Sequence, residues 1–328
     1  MVTVIIPCHN AAASIRRCLD SVLAQTRKPD EIIIVNDGST DESITEINSY
    51  GRAVKVLHQA NQGPSIARNT GIAVAQSKYI AFLDADDYWM PEFLEKCVNF
   101  LEGHPEAVAV STGQKLKIWG HADIIRPVFL RDPHSDQPVI VDDFFQFWGR
   151  HNHITTGSVV FHRSYGGEVF NQLPDLRMCE DLELWGYLAT FGQWGFVPEV
   201  LFVSDGTTVA VTQGWFKKLS VRWKFCPTIE QWQRRIEPRL KERDREGFRV
   251  TRGWIAKSLA HASILAGRGK EARAVTVAYG KDFPRDRISS VLRFGASGSF
   301  RWATCCSLLR CREHLKAISM AFSVKRKS

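Results

Sequence analysis

Three carboxylates crowd into four positions, at Asp84, Asp86 and Asp87. They directly follow Tyr79-Ile80-Ala81-Phe82-Leu83, a short apolar run with aromatic and β-branched members that reads as a buried strand. Like charges this close repel unless something positive sits among them. A divalent cation is the simplest compensator. Oxygen-only ligands suit Mg²⁺ or Mn²⁺, held by one or two carboxylates and completed by substrate phosphates. The spacing therefore points to a metal–diphosphate site on Asp84 and Asp86. A solvated acidic turn opening the helix near Pro91 is the plain alternative, since Asp favours helix N-termini.

The elements that position these acids follow from periodicity. Val2–Ile6 is a continuous apolar run, as a strand buried on both faces requires. Strands are expected over 31–35, 53–57, 79–83 and 108–111, and helices over 11–25, 40–50 with Thr40 as its cap, 64–75 and 91–102. Strands alternating with such helices predict an α/β fold, a mostly parallel sheet with helices on both faces. Ligands in such sheets bind beyond the carboxyl ends of the strands, where the Asp cluster falls. Residues 115–150 lose the rhythm and read as an irregular insertion or lid. A strand returns over 154–161, a helix over 178–191 and a last strand over 196–203.

From residue 215 the character changes. Residues 1–214 hold 16 Lys+Arg against 26 Asp+Glu, whereas 215–328 hold 27 against 9, so the overall +8 hides an acidic part and a basic part. Two units are expected, 1–214 and 215–328, the second mainly helical. A helical hairpin is expected over 251–265 and 270–279. A candidate amphipathic helix spans 300–322, with Arg301, Arg310, Arg312 and Lys316 and a Lys325-Arg326-Lys327 end. It reads as seeking an anionic membrane surface, or as a packed helix with a solvated basic face. The basic part carries no recognised nucleic-acid motif, so nucleic acid is not an expected partner. Eight scattered cysteines include no Cys-x-x-Cys pair, which suits a reducing cytoplasm. The N-terminus is not read as a signal peptide, and no run reaches the ~18 apolar residues of a transmembrane helix. Any membrane contact is expected to be peripheral, on the inner face.

Val4-Ile5-Ile6-Pro7-Cys8-His9-Asn10, Val35-Asn36-Asp37-Gly38-Ser39-Thr40-Asp41, Ala67-Arg68-Asn69-Thr70-Gly71 through Asp84-Ala85-Asp86-Asp87, and Cys179-Glu180-Asp181-Leu182-Glu183-Leu184-Trp185 occur in that order. Together they resemble the family 2 glycosyltransferases of GT-A fold, over residues 1 to about 205. The resemblance implies inverting transfer of a sugar from a nucleotide-diphosphate donor, UDP-sugar favoured, to a glycan or lipid-linked hydroxyl, in surface polysaccharide or glycolipid-linked oligosaccharide synthesis. By the same resemblance Asp84 and Asp86 hold the metal, and Asp84 and Ala85 border the donor. Asp87 supports them or caps the next helix. Pro7, His9 and Asn10 line the base and ribose, Asp37 reads the base, and Arg68 offsets phosphate charge. Asp181 is the base that takes the acceptor proton, with Glu180 its neighbouring candidate. One departure stands out. Many members carry a His ligand after the last sheet strand, where this chain has Leu201-Phe202-Val203-Ser204-Asp205-Gly206. Either Asp205 substitutes as a metal ligand or water stays there. His151 and His153 lie near the expected acceptor strand and are candidates for acceptor contact or plain loop residues. A sugar nucleotidyltransferase would open with a Gly-rich, Arg-bearing loop, which Pro7-Cys8-His9-Asn10 is not. A non-catalytic nucleotide-sugar-binding protein remains the other reading.

Overall fold

The computed structural model describes residues 1–117, 122–128, 137–165, 176, 179–205 and 224–325. It divides into two compact units, residues 1–175 with 180–211, and 176–179 with 212–328. The expected boundary at 214/215 lies outside the described residues, as do Met178, Trp215, Trp223, Arg326 and Lys327.

The first unit is built on one sheet. Strands β1 (Val2–Cys8), β2 (Glu31–Asp37), β3 (Lys55–Gln59) and β4 (Tyr79–Phe82) pair in parallel in the order β3-β2-β1-β4. Between them run α1 (Ile15–Leu23), α2 (Ser43–Asn48) and α3 (Pro64–Val74). Beyond β4 the pairing is mixed. β9 (Val159–His162) is antiparallel to β4 and to β6 (Ala107–Lys117), and β6 is parallel to β10 (Gln193–Asp205). A two-residue strand β5 (Tyr88–Trp89) pairs with β10. The sheet is thus parallel in the half that carries the strand-tip acids and mixed in the other.

Alternation along β1 and β4 sends the helices to opposite faces. Val2, Val4, Ile6, Tyr79, Ala81 and Leu83 share one buried core with Ile15, Leu19 and Val22 of α1 and with Leu94, Val98 and Leu101 of α4 (Phe93–Gly103). Ile5 and Phe82, in register with each other, point the other way. Gly71 of α3 sits on Ile5 so closely that a Cβ would come within 2.4 Å of its methyl. Phe82 meets Trp185 of α6 (Glu180–Leu188) at 6.1 Å between rings. Each of these fully buried side chains contributes about 1.5–3 kcal/mol, so the strand that ends in the acids is anchored on both faces.

Several boundaries differ from the sequence reading. Thr40 is no helix cap; α2 starts after Glu42, and the Thr40 N–H donates to Asn10 Oδ1 at 2.8 Å. Within 115–150 there are ordered elements. β6 extends to Lys117, β7 (Ile124–Arg126) and β8 (Val139–Val141) join the sheet, and α5 (Phe144–His151) is capped by Asp143, whose carboxylate accepts from Gln146 N. Residues 118–121 and 129–136 of that stretch lie outside the description. The strand expected over 154–161 opens instead as a 3₁₀ turn at Thr156–Ser158.

The second unit is helical: α7 (Ile229–Gln233), α8 (Arg245–Leu265), α9 (Gly269–Tyr279), α10 (Arg287–Ala296) and α11 (Ser299–Lys325). The α8–α9 pair is the expected hairpin; α10 escaped the sequence reading. Trp232 stacks on Phe248, and Ile255, Leu259, Leu292, Trp302 and Leu309 fill the interior. Among the described residues no helix is long and apolar enough to cross a membrane.

Candidate active site

The acids sit where β4 ends. Leu83 is fully buried, and its N–H donates to Ile5 O, so the chain leaves the sheet only at Asp84. The turn is then fastened from three sides. Asp87 N donates to Asp84 O at 3.0 Å. Arg17, on α1, donates to the Asp86 carbonyl at 2.7 Å. Asp87 Oδ1 accepts from Asp205 N at 2.9 Å. Asp87 therefore ties the turn to the end of β10; the cap position of α4 belongs to Glu92.

Arg68 is the central cation. It lies on the buried face of α3, over the Phe82 ring, and donates to Asp84 Oδ1 at 2.6 Å. Its other terminal nitrogen lies 3.9 Å from Glu180 Oε1. Burial alone would lower its pKa, but the Asp84 and Glu180 carboxylates outweigh that and raise it. One buried guanidinium thus links the tip of β4 to the first turn of α6. Glu180 turns inward and is 4 % exposed, whereas Asp181, the next residue, is half-buried. Successive helix residues are ~100° apart, which separates the two acids as helix geometry demands. Thr156 Oγ1 donates to Asp181 Oδ2 at 3.1 Å.

The strand-tip acids remain short of positive charge. Desolvation first, then the charge of Asp84, pushes the Asp86 carboxyl up to about 6. Burial and the same neighbours push Asp87 well above the ordinary range. This donor set fits a divalent cation: hard oxygens, a charge deficit, and a second Asp84 oxygen beside the one on Arg68. Among the described residues no three His, Cys, Asp or Glu side chains form a group that could hold a metal ion by themselves. Asp205 is 3 % exposed, and its Oδ2 accepts from Arg17 at 2.7 Å.

The β1 and β2 turns form the neighbouring wall. Asp37 is buried and accepts three hydrogen bonds at 2.8 Å, from Gln59 Nε2, Gln62 N and Gly63 N. Three bonds on two oxygens leave one acceptor position. Gly38, at φ 70°, lets the chain turn directly beneath Asn61, where a Cβ would lie 2.9 Å from the Asn61 nitrogen. His9 is exposed, with Nδ1 2.9 Å from Asp37 O and Nε2 3.0 Å from Asn61 Nδ2. Asn10, at φ 53°, binds Ser39 and Thr40. Pro7 is half-buried at the end of β1, and Ala85 is buried between the two Asp residues.

Three functional neighbours escaped sequence reasoning. Arg17 reaches Asp205 across 188 residues, and Thr156 reaches Asp181 across 25. Gln59 closes on Asp37 from the adjacent strand. No local pattern marks them. His153 is fully buried against Phe144, Phe147 and Phe196, and desolvation holds its pKa well below the usual value. It is a core residue rather than an acceptor contact.

A parallel strand order with clustered acids beyond the strand ends is the arrangement in which open α/β sheets bind ligands. Residues 3–155 match Glycosyl transferase family 2, and over this stretch the chain is similar to that family. It is 50 % identical over 96 residues to an uncharacterized glycosyltransferase, YibD, of Escherichia coli, and 46 % over 91 residues to another, EpsJ, of Bacillus subtilis. Those matches take in 28 % and 27 % of this chain and 28 % and 26 % of the relatives, so it spans just over a quarter of their length. Among solved structures, the S. aureus TarS 1-349 complex with UDP aligns with TM-score 0.54 at 16 % identity, covering 92 % of this chain and 91 % of that one. Mannosyltransferase PcManGT from Pyrobaculum calidifontis, in complex with GDP-Man and Mn²⁺, aligns with TM-score 0.59 at 18 % identity, covering 94 % and 84 %. At such identities the likeness is one of fold, and that fold is GT-A.

Proposed function

We propose that the chain is an inverting, hexosyl-type glycosyltransferase that moves a sugar from a nucleotide-diphosphate donor, UDP-sugar favoured, to a hydroxyl of a glycan or lipid-linked acceptor. Surface polysaccharide or glycolipid-linked oligosaccharide synthesis is the setting this reading favours. The observation that carries it is Arg68, which draws Asp84 of the strand tip and Glu180 of the acid helix into one buried cluster, with Asp181 beside it at the open side.

The parts divide the work as follows. The base-reading turn offers the one unfilled acceptor position of Asp37, which matches a uracil imide N–H. The exposed His9 ring supplies a stacking face at the same wall. Arg68 holds Asp84 in place and sets a positive charge beside the donor phosphates. Asp84 and Asp86 would hold Mn²⁺ or Mg²⁺, which when bound would neutralise charge on the leaving diphosphate. Asp205, held by Arg17, serves the site by fastening the turn through its N–H on Asp87. Asp181 accepts the acceptor proton through the oxygen that Thr156 does not occupy, while the acceptor attacks in line. Neighbours of this fold crystallised with UDP and with GDP-Man support the donor class.

Asp181→Asn separates chemistry from binding. Transfer is expected to fall by about 10²–10⁴-fold, with UDP affinity by calorimetry within about twofold of the parent. Lost UDP binding with the fold intact would overturn the base assignment.

A further inference from the structure

Helix α11 is apolar on two sides. Its inner face buries Trp302, Cys305 and Leu309 at 7, 5 and 4 % exposure. Its outer face carries Phe300, Thr304, Leu308, Cys311 and Leu315, spaced four, four, three and four, as one exposed stripe. Phe300 is 86 %, Leu308 61 % and Leu315 66 % exposed. A helix that merely closed its own unit would need only one apolar face.

The stripe continues onto α10. Arg301 lies 5.0 Å over the ring of Phe294, itself 60 % exposed, and is fixed there by Ser297 Oγ at 3.1 Å. Arg287, Ser290, Val291 and Phe294 run along one face of α10, at helical spacing. Arg285 and Arg287 line an open cleft there with Ser290, Val291, Arg293 and Asp286, the last paired with Lys257 at 3.3 Å. Arg285 and Arg287 are exposed, and neither is ion-paired among the described residues. Exposed Arg312 flanks the far end, beside Leu315.

We propose that this α10–α11 face docks on a membrane surface bearing anionic lipid headgroups. Phe294, Phe300, Leu308 and Leu315 enter the boundary between headgroups and acyl chains, while Arg285, Arg287, Arg301 and Arg312 meet the lipid phosphates. Apolar side chains flanked by arginine are what an in-plane interfacial helix needs. Each cation near such a surface adds about 1 kcal/mol. Charge decides among the occupants. A second copy would bring another 27 Lys+Arg against 9 Asp+Glu to the same place, and like charges repel there. Nucleic acid would satisfy the arginines but leave the phenylalanines and leucines in water. The proposal is independent of the transfer reaction, since no residue of the strand-tip site takes part.

Full-length protein is sedimented with phosphatidylcholine vesicles containing phosphatidylglycerol, and with pure phosphatidylcholine vesicles. Binding is expected to the first, to weaken in high salt, and to be at least about tenfold weaker to the second. Leu308→Glu with Leu315→Glu, at exposed positions that tolerate charge, is expected to cut binding to the anionic vesicles by about tenfold or more while the melting temperature stays unchanged. Equal sedimentation of parent and double variant overturns the proposal. So does a concentration-dependent dimer in sedimentation velocity that the double variant abolishes, which assigns the stripe to a second copy. Binding to duplex DNA that the leucine substitutions leave intact, with no vesicle binding, assigns the arginines to nucleic acid and overturns it equally.

Discussion

Two sets of arginines, one in each unit, are used in opposite ways. In the sheet unit Arg68 is 3 % exposed and Arg17 is braced against buried Asp205, both among carboxylates. In the helical unit Arg285, Arg287, Arg301 and Arg312 stand at the surface, beside exposed apolar side chains. The first arrangement holds acids that would otherwise repel one another. The second leaves charge available to something outside the chain. A guanidinium is thus a structural part in the first set and an unspent contact in the second, although the helical unit also braces Arg249 on buried Asp282, and substitutions can tell the two sets apart.

The largest effect is expected at the acids the arginines serve. Asp86→Ala removes one of the two carboxylates assigned to the cation, and transfer is expected to fall by about 10³-fold or more. Added Mn²⁺ is expected to raise the melting temperature of the parent and to leave that of the variant unchanged. A variant whose activity and Mn²⁺ response match the parent would remove the strand tip from the metal reading.

Arg68→Met keeps the aliphatic volume and deletes the charge. Glu180, with a side chain 5 % exposed, and Asp84 then lose the guanidinium they share. Losing one partner of a buried ion pair costs about 3–5 kcal/mol, and Asp84's partial exposure places this case near the lower figure. Urea unfolding measures it. A loss under about 1 kcal/mol would mean that Arg68 is no more structural than the arginines of the helical unit.

Much of this contrast was legible in the sequence, because it rests on local patterns. The 3.6 and 2 periods of residues 1–111 give the strand–helix alternation. Asp84 and Asp86 declare themselves by spacing within a few residues, and Glu180 and Asp181 by the family resemblance of the segment that holds them. The acidic and basic halves are a matter of counting. What stayed hidden depends on chain closure. Nothing near Arg17 announces a partner 188 residues away, and nothing in Arg68 distinguishes a phosphate-facing side chain from one sandwiched between Asp84 and Glu180. Asp205, read as a lone ligand type after the last strand, turns out to be the acid that Arg17 holds. His153 looked like a loop histidine because its aromatic surroundings come from α5 and β10 rather than from its own neighbours. Helix α11 was recognised as long and basic, yet its outer stripe is apolar, a distinction that requires knowing which face the rest of the unit covers.

The pH response sharpens the comparison at the site. The Asp86 carboxyl is raised from 3.8 to about 6 by burial and by Asp84. A raised acid stabilises the fold while it is protonated, below its unfolded value, and that contribution is lost as pH rises through about 6. Without divalent cation, Asp86→Asn should therefore gain stability relative to the parent between pH 4.5 and pH 7.5, because it has no charge to bury. Denaturation midpoints at the two values, with chelator present, measure the gain. A constant difference between the proteins would show that Asp86 ionises without penalty and that the turn has no charge deficit for a cation to relieve.

The smallest effect should come from the surface. Arg285→Gln removes a cation that is exposed and, among the described residues, has no carboxylate partner. Surface changes of this kind move stability by no more than about 0.5 kcal/mol, roughly a sixth of the loss expected for Arg68→Met. The same urea experiment reads both. If Arg285→Gln destabilised the protein as much as Arg68→Met does, Arg285 would be an internal brace too, as Arg249 is on Asp282. The charge of residues 215–328 would then be committed to folding, leaving less of it to meet an anionic surface.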